Sequence, residues 1–413
     1  MKHLPAALLS TLFISLVEVS VSLADELSFG VPEMKLVEEL EKGGRKVLRY
    51  EHEDIPEWDY AVPQQDYFYV LALTGNPENR PLHVVLHSAG HSGDAVLADA
   101  FKHPDWFHYA GLDDQVVLYL DCRKNKGDWW WGAHSIKREK EKFASAYCPT
   151  EKRVLTTIEW VIENFKIDRE RVYLSGISMG GSGSLGIGMR RGDIFAAVNV
   201  AVPAGIEHVQ HRLFGQDVPD PPLLINFSAP NDNWSKDQEK LLAYCQQKKL
   251  PIVFAWGQHG HQSSVAKYHP AARQFPWRSI RKNQAYPVFS NTSTDGRYAG
   301  FKNASGGDEA GQVGALFRWE AFADEAEVFQ INLRMVTATE LETTVDLPTS
   351  AETGVSLRRL QLFKALAGKS YRWTLSRGGE VLQSGETKAD GAGLLTIEGL
   401  KISDRPAQLK ISA

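Results

Sequence analysis

Residues 172–181 read Val-Tyr-Leu-Ser-Gly-Ile-Ser-Met-Gly-Gly, and this stretch decides the fold. Its apolar start, residues 172–174, predicts a buried strand, and the Gly- and Ser-rich residues after it predict a helix. Between them, Gly176-Ile177-Ser178-Met179-Gly180 has the G-x-S-x-G pattern of a sharp strand-to-helix turn. Glycines are needed there because strand and helix approach too closely for a Cβ atom. The turn presents Ser178 as a candidate nucleophile.

The composition is that of a globular chain with ample material for a packed core. Hydrophobic residues make up 43% of the 413 residues, and the formal net charge is −5 with scattered Lys and Arg. This pattern favours neither nucleic acid nor an anionic membrane as a partner. The length predicts two or three domains.

Residues 1–24 have the pattern of an export signal. Lys2 and His3 precede an apolar stretch that runs to about Val21, and Ser22-Leu23-Ala24 offers small residues for a signal peptidase. The alternative is a single membrane anchor, which the shortness of the stretch disfavours. We therefore expect a secreted or periplasmic protein whose mature chain has no membrane span.

From residue 66 to 275, strands and helices alternate in the predicted pattern. The helix at 154–165 has apolar residues on one face. The predicted strands are unbroken apolar runs at residues 81–87, 116–120, 172–174, 196–200, 223–227 and 252–255. Runs of this kind, separated by helices, predict a mostly parallel sheet with helices on both faces. Residues 25–65 are predicted to be an N-terminal extension.

The pattern changes in the C-terminal third of the chain. Residues 276–314 are predicted to be an irregular connection. From 315 to 413, apolar residues recur at every second position, as in Phe329, Ile331 and Leu333, and turn residues separate further short runs, one of them at 357–363. This spacing predicts a β-sandwich.

Two later strand ends supply the partners that a nucleophilic serine needs. Asp232 follows the run 223–227, with a turn-capping role as the alternative. His259 and His261 follow the run 252–255, and the Gly260-His261 order favours His261, with His259 as the alternative. In this order, the histidine would take the proton of Ser178 and the aspartate would orient the histidine.

Backbone N–H groups are expected to stabilise the negative charge of the reaction intermediate. One is that of Met179, directly after the serine. The other belongs to the turn that follows the run 81–87, where the choice between Ser88 and Ala89 stays open.

Tryptophans are concentrated near the predicted site. Trp129, Trp130 and Trp131 follow the run 116–120, in a connection that is expected to pass over the site, and Trp234 lies beside Asp232. Such rings could form a wall against a sugar or an aromatic acyl group, so all four are candidate substrate contacts. Packing of part of the tryptophan run into the core is the alternative.

The three cysteines lead to two predictions. A disulfide between Cys122 and Cys148 would close a short loop and stabilise an exported protein, and an unbridged Cys122 is the alternative. Cys245 is predicted to be a buried thiol. No His pair with carboxylates at metal-ligand spacing is visible on a helix, so neither a metal nor another cofactor is expected.

From about residue 82 to 261 the chain resembles secreted α/β-hydrolases of the feruloyl esterase, acetyl xylan esterase and polyhydroxybutyrate depolymerase group. The resemblance is carried by the HSAGHS turn at 87–92, by IDRERVYLSGISMGG at 167–181 and by Phe195-Ala196-Ala197. It implies an α/β-hydrolase fold and ester hydrolysis through an acyl-enzyme. Acetyl or feruloyl esters of a polysaccharide are the candidate substrates.

Two other functions stay open. Peptidases of the prolyl-oligopeptidase type share much of the 167–181 stretch, although their β-propeller has no room here. The protein could instead act without catalysis, binding carbohydrate or a surface through its sandwich. Phe363, Tyr371 and Trp373 have spacing typical of core residues, which favours a packing role for the sandwich.

Overall fold

The computed structural model describes residues 29–76, 78–122, 129–131, 142–215, 220–262, 268–301 and 310–413. The predicted export signal lies outside these residues. Within the described ranges, no helix is long and apolar enough to cross a membrane.

A ten-stranded sheet forms the centre of the described structure, in the order β1-β2-β3-β5-β4-β6-β7-β8-β9-β11. Its six strands from β5 to β9 are parallel, whereas β1–β3 and β11 are antiparallel to their neighbours. The strands are β1 (Lys35–Lys42), β2 (Arg45–Glu53), β3 (Gln65–Leu73), β4 (Leu82–Leu86), β5 (Val116–Leu120), β6 (Val172–Ile177), β7 (Ala197–Ala201), β8 (Leu223–Ser228), β9 (Ile252–Trp256) and β11 (Gly311–Val313).

Helices cover both faces of this sheet, because both faces carry apolar side chains. Successive side chains of a strand point to opposite faces. In β3, Tyr67 and Tyr69 belong to one apolar cluster and Phe68 and Val70 to the other. The helices are α1 (Gly93–Lys102), α2 (Lys142–Ser145), α3 (Pro149–Asn164), α4 (Met179–Gly188), α5 (Gln210–Leu213), α6 (Gln238–Gln247) and α7 (Pro270–Arg273), with 3-10 turns at Pro56–Trp58, Ile206–His208 and Trp277–Ser279. Residues of α1 and α7 pack on the first face, and those of α3, α4 and α6 pack on the second. The predicted α/β-hydrolase fold is confirmed.

Two antiparallel sheets form the C-terminal β-sandwich, as predicted. One has the order β10-β14-β17 and the other the order β12-β13-β18-β15-β16. Alternate residues of β13 are buried, which matches the two-residue period. Phe363 and Tyr371 are buried in the apolar cluster that continues from the first face of the central sheet. The strands are β10 (Tyr286–Ser290), β12 (Phe317–Asp324), β13 (Val328–Met335), β14 (Ser350–Arg358), β15 (Ser370–Arg377), β16 (Glu380–Lys388), β17 (Thr396–Ser403) and β18 (Ala407–Ser412).

Three segments differ from the expected layout. Residues 25–65 contain β1 and β2, which extend the central sheet, and residues 276–314 contain β10 and β11, which join two different sheets. The strand expected at 357–363 ends at Arg358, because Arg359 has a left-handed backbone (φ 55°) that interrupts an extended chain.

The predicted disulfide is not formed in the structure. Cys122 and Cys148 are both buried, but they pack in two different apolar clusters. A disulfide requires the two Cβ atoms to face each other at short range, which sequence spacing does not specify. Cys245 is a buried thiol as predicted, and burial raises its pKa to about 12.

Candidate active site

Ser178 lies between β6 and α4 in a strained backbone conformation, with φ 55° and ψ −115°. Its N–H donates to the Ala201 carbonyl (3.0 Å), and its carbonyl accepts from Ala204 N–H (2.9 Å). A left-handed conformation is uncommon for a residue with a Cβ atom and is retained only where the surroundings enforce it. The two bonds to the end of β7 and the loop after it provide that restraint.

We call the strand-to-helix turn at residues 176–180 the elbow, and its glycines are required by close backbone contacts. A Cβ atom on Gly176 would lie 2.3 Å from the Gly180 carbonyl carbon. A Cβ atom on Gly180 would lie 2.0 Å from Leu86 O and 2.8 Å from His87 O. The elbow therefore packs directly against the end of β4 and the turn that follows it.

The structure brings Ser178, His261 and Asp232 together in one hydrogen-bonded row. His261 Nδ1 lies 2.7 Å from Asp232 Oδ2, and His261 Nε2 lies 2.8 Å from Ser178 Oγ. An ionised carboxylate only accepts hydrogen bonds, so Nδ1 donates to Asp232 and Nε2 accepts from the serine hydroxyl. The Asp232 side chain is fully buried, whereas that of His261 is 29% exposed. An entering substrate can therefore reach the serine and the imidazole.

The loop carrying Asp232 and the loop carrying His261 are tied together by a residue that the sequence analysis missed. Asn231 Oδ1 accepts from Gly260 N–H (2.8 Å), and Asp232 Oδ1 accepts from Trp234 N–H (2.9 Å). Through this hydrogen bond, Asn231 in the aspartate loop holds the histidine loop in position. An asparagine directly before the acid is the only sequence signal of this role, and turns commonly contain asparagine for local reasons.

His259 lies outside the hydrogen-bonded row. Its ring is buried, its Nδ1 is 3.1 Å from Gly260 O, and it packs edge-on against Tyr268. Of the two histidines considered from the sequence, the structure places His261 against the serine.

The turn after β4 contains both candidate second donors, and its peptide groups are fixed by neighbouring side chains. The His87 carbonyl accepts from Trp130 Nε1 (2.9 Å). The Ser88 carbonyl accepts from His87 Nδ1 (2.9 Å) and from His91 N–H (3.1 Å). In a trans peptide the N–H points away from the C=O, so these bonds also set the directions of the Ser88 and Ala89 N–H groups.

His87 is held in one tautomer by the same network. Its Nε2 accepts from Cys122 N–H (3.1 Å), so its proton is on Nδ1, the atom that donates to Ser88 O. Burial lowers the pKa of His87, which keeps the ring neutral at pH 7. Met179 is the first residue of α4, and its N–H has no acceptor within the helix. Backbone N–H donors are therefore present in both segments: that of Met179 in the elbow, and those of Ser88 and Ala89 in the turn that packs against it.

The four tryptophans predicted to contact substrate fall into two groups. Trp130 is fully buried, and its indole N–H is used by His87, so it acts within the framework and is not exposed to a ligand. Trp131 is also buried and stacks on His208 at 5.0 Å. Trp129 is 45% exposed and Trp234 is 68% exposed. The Trp234 ring centre lies 6.4 Å from that of His261, beside the hydrogen-bonded row of Ser178, His261 and Asp232.

Residues 77–301 match a protein family described as putative esterase. The matched segment is more than half of the 413 residues and contains Ser178, Asp232 and His261. The chain belongs to the putative esterase family. It is a carboxylic ester hydrolase, and the resemblance to esterases drawn from residues 82–261 is confirmed. A search of curated proteins gave no significant match.

Several solved structures are similar to this chain at low sequence identity. An S-formylglutathione hydrolase from Agrobacterium tumefaciens is 12% identical, with 60% of this chain and 99% of that chain covered and a TM-score of 0.43. An acetyl xylan esterase from Paenibacillus sp. R4 is 13% identical, with 58% and 87% covered and a TM-score of 0.39. A ferulic acid esterase from the anaerobic fungus Anaeromyces mucronatus is 13% identical, with 60% and 97% covered and a TM-score of 0.38. Similarity at this level does not specify a substrate.

Proposed function

We propose that the esterase cleaves its substrate through an acyl-enzyme on Ser178, with His261 as general base and acid and Asp232 as the group that orients it. The observation that carries this proposal is the unbroken row from Asp232 Oδ2 through His261 to Ser178 Oγ, with distances of 2.7 and 2.8 Å. We call these three residues the reactive row. A nucleophile within hydrogen-bond reach of a base that a third group orients is the arrangement that acyl transfer requires.

In the first half-reaction, Ser178 Oγ attacks the ester carbonyl carbon and its proton moves to His261 Nε2. The carbonyl oxygen becomes negative and is stabilised by the N–H of Met179 and by that of Ser88 or Ala89. The bond to the alcohol oxygen then breaks, and Nε2 returns the proton to the leaving alcohol.

In the second half-reaction, a water molecule attacks the acyl carbon while Nε2 takes one of its protons. Breakdown of this second intermediate releases the carboxylic acid and restores the Ser178 hydroxyl. Asp232 accepts the hydrogen bond of Nδ1–H throughout and stabilises the charged imidazolium. No further group is needed to balance the protons.

The test compares Ser178→Ala with Ser184→Ala on a panel of chromogenic esters and one peptide amide. Ser184 is on the elbow helix, and its buried hydroxyl has no hydrogen-bond partner within the described residues. We expect Ser178→Ala to lose about 10⁴-fold or more in kcat and all labelling by a fluorophosphonate, whereas Ser184→Ala keeps both. Residual turnover by Ser178→Ala at the wild-type rate would overturn the proposal. Cleavage of the amide but not the esters would instead favour a peptidase.

For the substrate, we propose an acyl group, acetyl or feruloyl, attached to a polysaccharide. The support is the pair of exposed tryptophans, Trp129 and Trp234, of which Trp234 lies beside His261. Exposed large aromatic rings beside a reactive centre suit stacking on a sugar or a phenolic ring. The test compares the rate of acid release from acetylated and feruloylated xylan with the rate from the matching methyl esters. A preference for the polysaccharide esters is expected.

We also propose that the enzyme acts outside the cytoplasm, in the secreted or periplasmic space. The support is the signal-like sequence of residues 1–24. N-terminal sequencing of the protein from culture fluid and from a periplasmic extract tests the cleavage after Ala24. A chain that retains Met1 in the cell interior would contradict it.

A further inference from the structure

A large cavity lies between the α/β-hydrolase domain and the sandwich. Its volume is about 840 Å³, which is within the usual range of ligand pockets, roughly 300–1,000 Å³. Residues directly before β8 and β9, such as Pro221 and Leu250, line it together with residues after the end of β14. Asp232 and His261 follow the other ends of the same strands. We call this cavity the rear cleft, because it opens at the opposite edge of the parallel strands from the reactive row.

The rear cleft has a strong excess of positive charge in a chain whose net charge is −5. Seven Lys and Arg residues line it, against the two carboxylates of Asp220 and Asp390. Arg212 is paired with Glu151, and Lys249 lies 3.3 Å from Glu398. Within the part of the chain that the structure describes, the other five form no ion pair: Arg190, Lys248, Arg358, Arg359 and Lys364.

The two arginines at the end of β14 are held rigidly by neutral acceptors. Arg358 donates to the carbonyls of Lys248 and Lys249, each at 3.0 Å. Arg359 donates to carbonyls of the α/β-hydrolase domain at Gly192 and Phe195, also at 3.0 Å. Carbonyl oxygens satisfy N–H groups without neutralising the guanidinium charge. The wall of the rear cleft is therefore preformed and remains cationic.

Some of the cationic N–H groups have no acceptor among the residues that the structure describes. Arg359 is only 3% exposed, yet its Nε and Nη1 have no hydrogen-bond partner within the described residues, and neither has the buried Nη1 of Arg190. Burial, with the nearby charge of Arg212, lowers the pKa of Arg190. The guanidinium groups of Arg190 and Arg359 thus keep donor capacity that no residue of the described structure uses, and oxygen atoms of an anion are the acceptors that guanidinium groups bind best.

We propose that the rear cleft is a binding site for an anionic oligosaccharide, recognised through its carboxylate or sulfate groups by these arginines and lysines. Guanidinium groups match the planar oxygens of such anions, and the volume accommodates a few sugar units. The choice of a saccharide rests on the polysaccharide substrate class proposed above, whereas the anionic character rests on the charges of the cleft alone. The site would hold the acidic part of a polymer while the reactive row acts on another chain or another region.

The test uses the full-length Ser178→Ala variant, so that binding is measured without hydrolysis. Calorimetric titrations at low salt compare tetragalacturonate, a sulfated tetrasaccharide, neutral xylotetraose and inorganic sulfate. We expect at least one charged oligosaccharide to bind, with an affinity that falls as salt is added. Binding of xylotetraose as tightly as the charged sugars, or no binding of any sugar at millimolar concentration, would overturn the proposal. Sulfate ion alone binding as tightly as the sugars would also overturn the assignment of an oligosaccharide.

Charge reversal locates the site. Lys248 and Lys364 are exposed residues of the rear cleft, and the double variant Lys248→Glu/Lys364→Glu is expected to weaken binding about tenfold or more. The matched control, Lys388→Glu/Lys401→Glu, makes the same change in net charge at exposed positions of the sandwich outside the cleft, and it is expected to bind as the parent does. Equal affinities in the two double variants would exclude the rear cleft. With Ser178 restored, both double variants should hydrolyse a small acetate ester normally, which separates this proposal from that on the reactive row.

Discussion

Replacing Gly180 with alanine tests how closely the elbow and the turn after β4 must approach. The new Cβ atom would lie 2.0 Å from Leu86 O, and Cβ contacts below 3.0 Å are essentially never observed. At least 1.0 Å of movement (3.0 − 2.0) is therefore required, and it must occur in backbone because both partners are backbone atoms. Overpacking of this kind costs about 1–3 kcal/mol of stability.

The larger effect is expected on catalysis. The movement separates Met179 N–H, beside Gly180, from the donor on the turn after β4, and these two groups are proposed to hold the same oxygen. A displacement of about 1 Å in such a site lowers the rate about a hundredfold. We therefore expect kcat on p-nitrophenyl acetate to fall by about that factor, with KM little changed.

A second glycine of the same helix provides the control. A Cβ atom on Gly186 would lie 3.0 Å from Val209 Cγ1, a side-chain methyl group that can yield by a small rotation. Gly186→Ala should keep wild-type kcat, and its stability should change little or rise, because alanine favours a helix. The assay is active-site titration with a fluorophosphonate followed by steady-state kinetics, with near-UV circular dichroism to verify folding. A folded Gly180→Ala enzyme with wild-type kcat per titrated site would refute the reasoning.

Three further predictions concern residues around the site and in the framework. Trp130→Phe removes the donor to the buried His87 carbonyl; we expect a loss of about 1–3 kcal/mol in thermal unfolding and a lower kcat, whereas Trp131→Phe should leave kcat unchanged. Trp234→Ala should raise KM on polysaccharide esters and leave that on a small acetate unchanged; equal effects on both would contradict a sugar-stacking role. Burial, then repulsion from a nearby carboxylate, raises the pKa of Asp54 to about 7. Since the folded form then binds the extra proton, stability should fall as pH rises from about 4 to 7, and urea unfolding of Asp54→Asn should lack this loss.

The reactive row could be predicted because parallel strands place their carboxyl ends at one edge of the sheet. The runs before Ser178, Asp232 and His261 are the parallel strands β6, β8 and β9 of one sheet, so the residues that follow them lie at the same edge. Only the choice between His259 and His261 depended on local detail, and Gly260, with a left-handed φ of 59°, is the residue that lets the loop turn.

The residues that the sequence did not specify act through contacts between distant segments. The run Trp129–Trp131 has no period that tells which ring is buried, and the burial of Trp130 depends on a carbonyl 43 positions away, that of His87. Asn231 likewise acts on Gly260 across 29 positions. The antiparallel strands β1 and β2 were also missed. Every residue of β1 is exposed, so it lacks the apolar run that marked the buried strands.

These distant contacts share one consequence for the proposed reaction. The aspartate and histidine loops are joined by Asn231, the elbow abuts the turn after β4 at Gly180, and that turn is held by Trp130. The donors and the base are therefore set before substrate arrives, which is the condition under which fixed dipoles lower a barrier most. Because none of these three residues needs to touch the substrate, changes at them should lower kcat and leave KM nearly constant, whereas changes at the exposed ring of Trp234 should do the reverse.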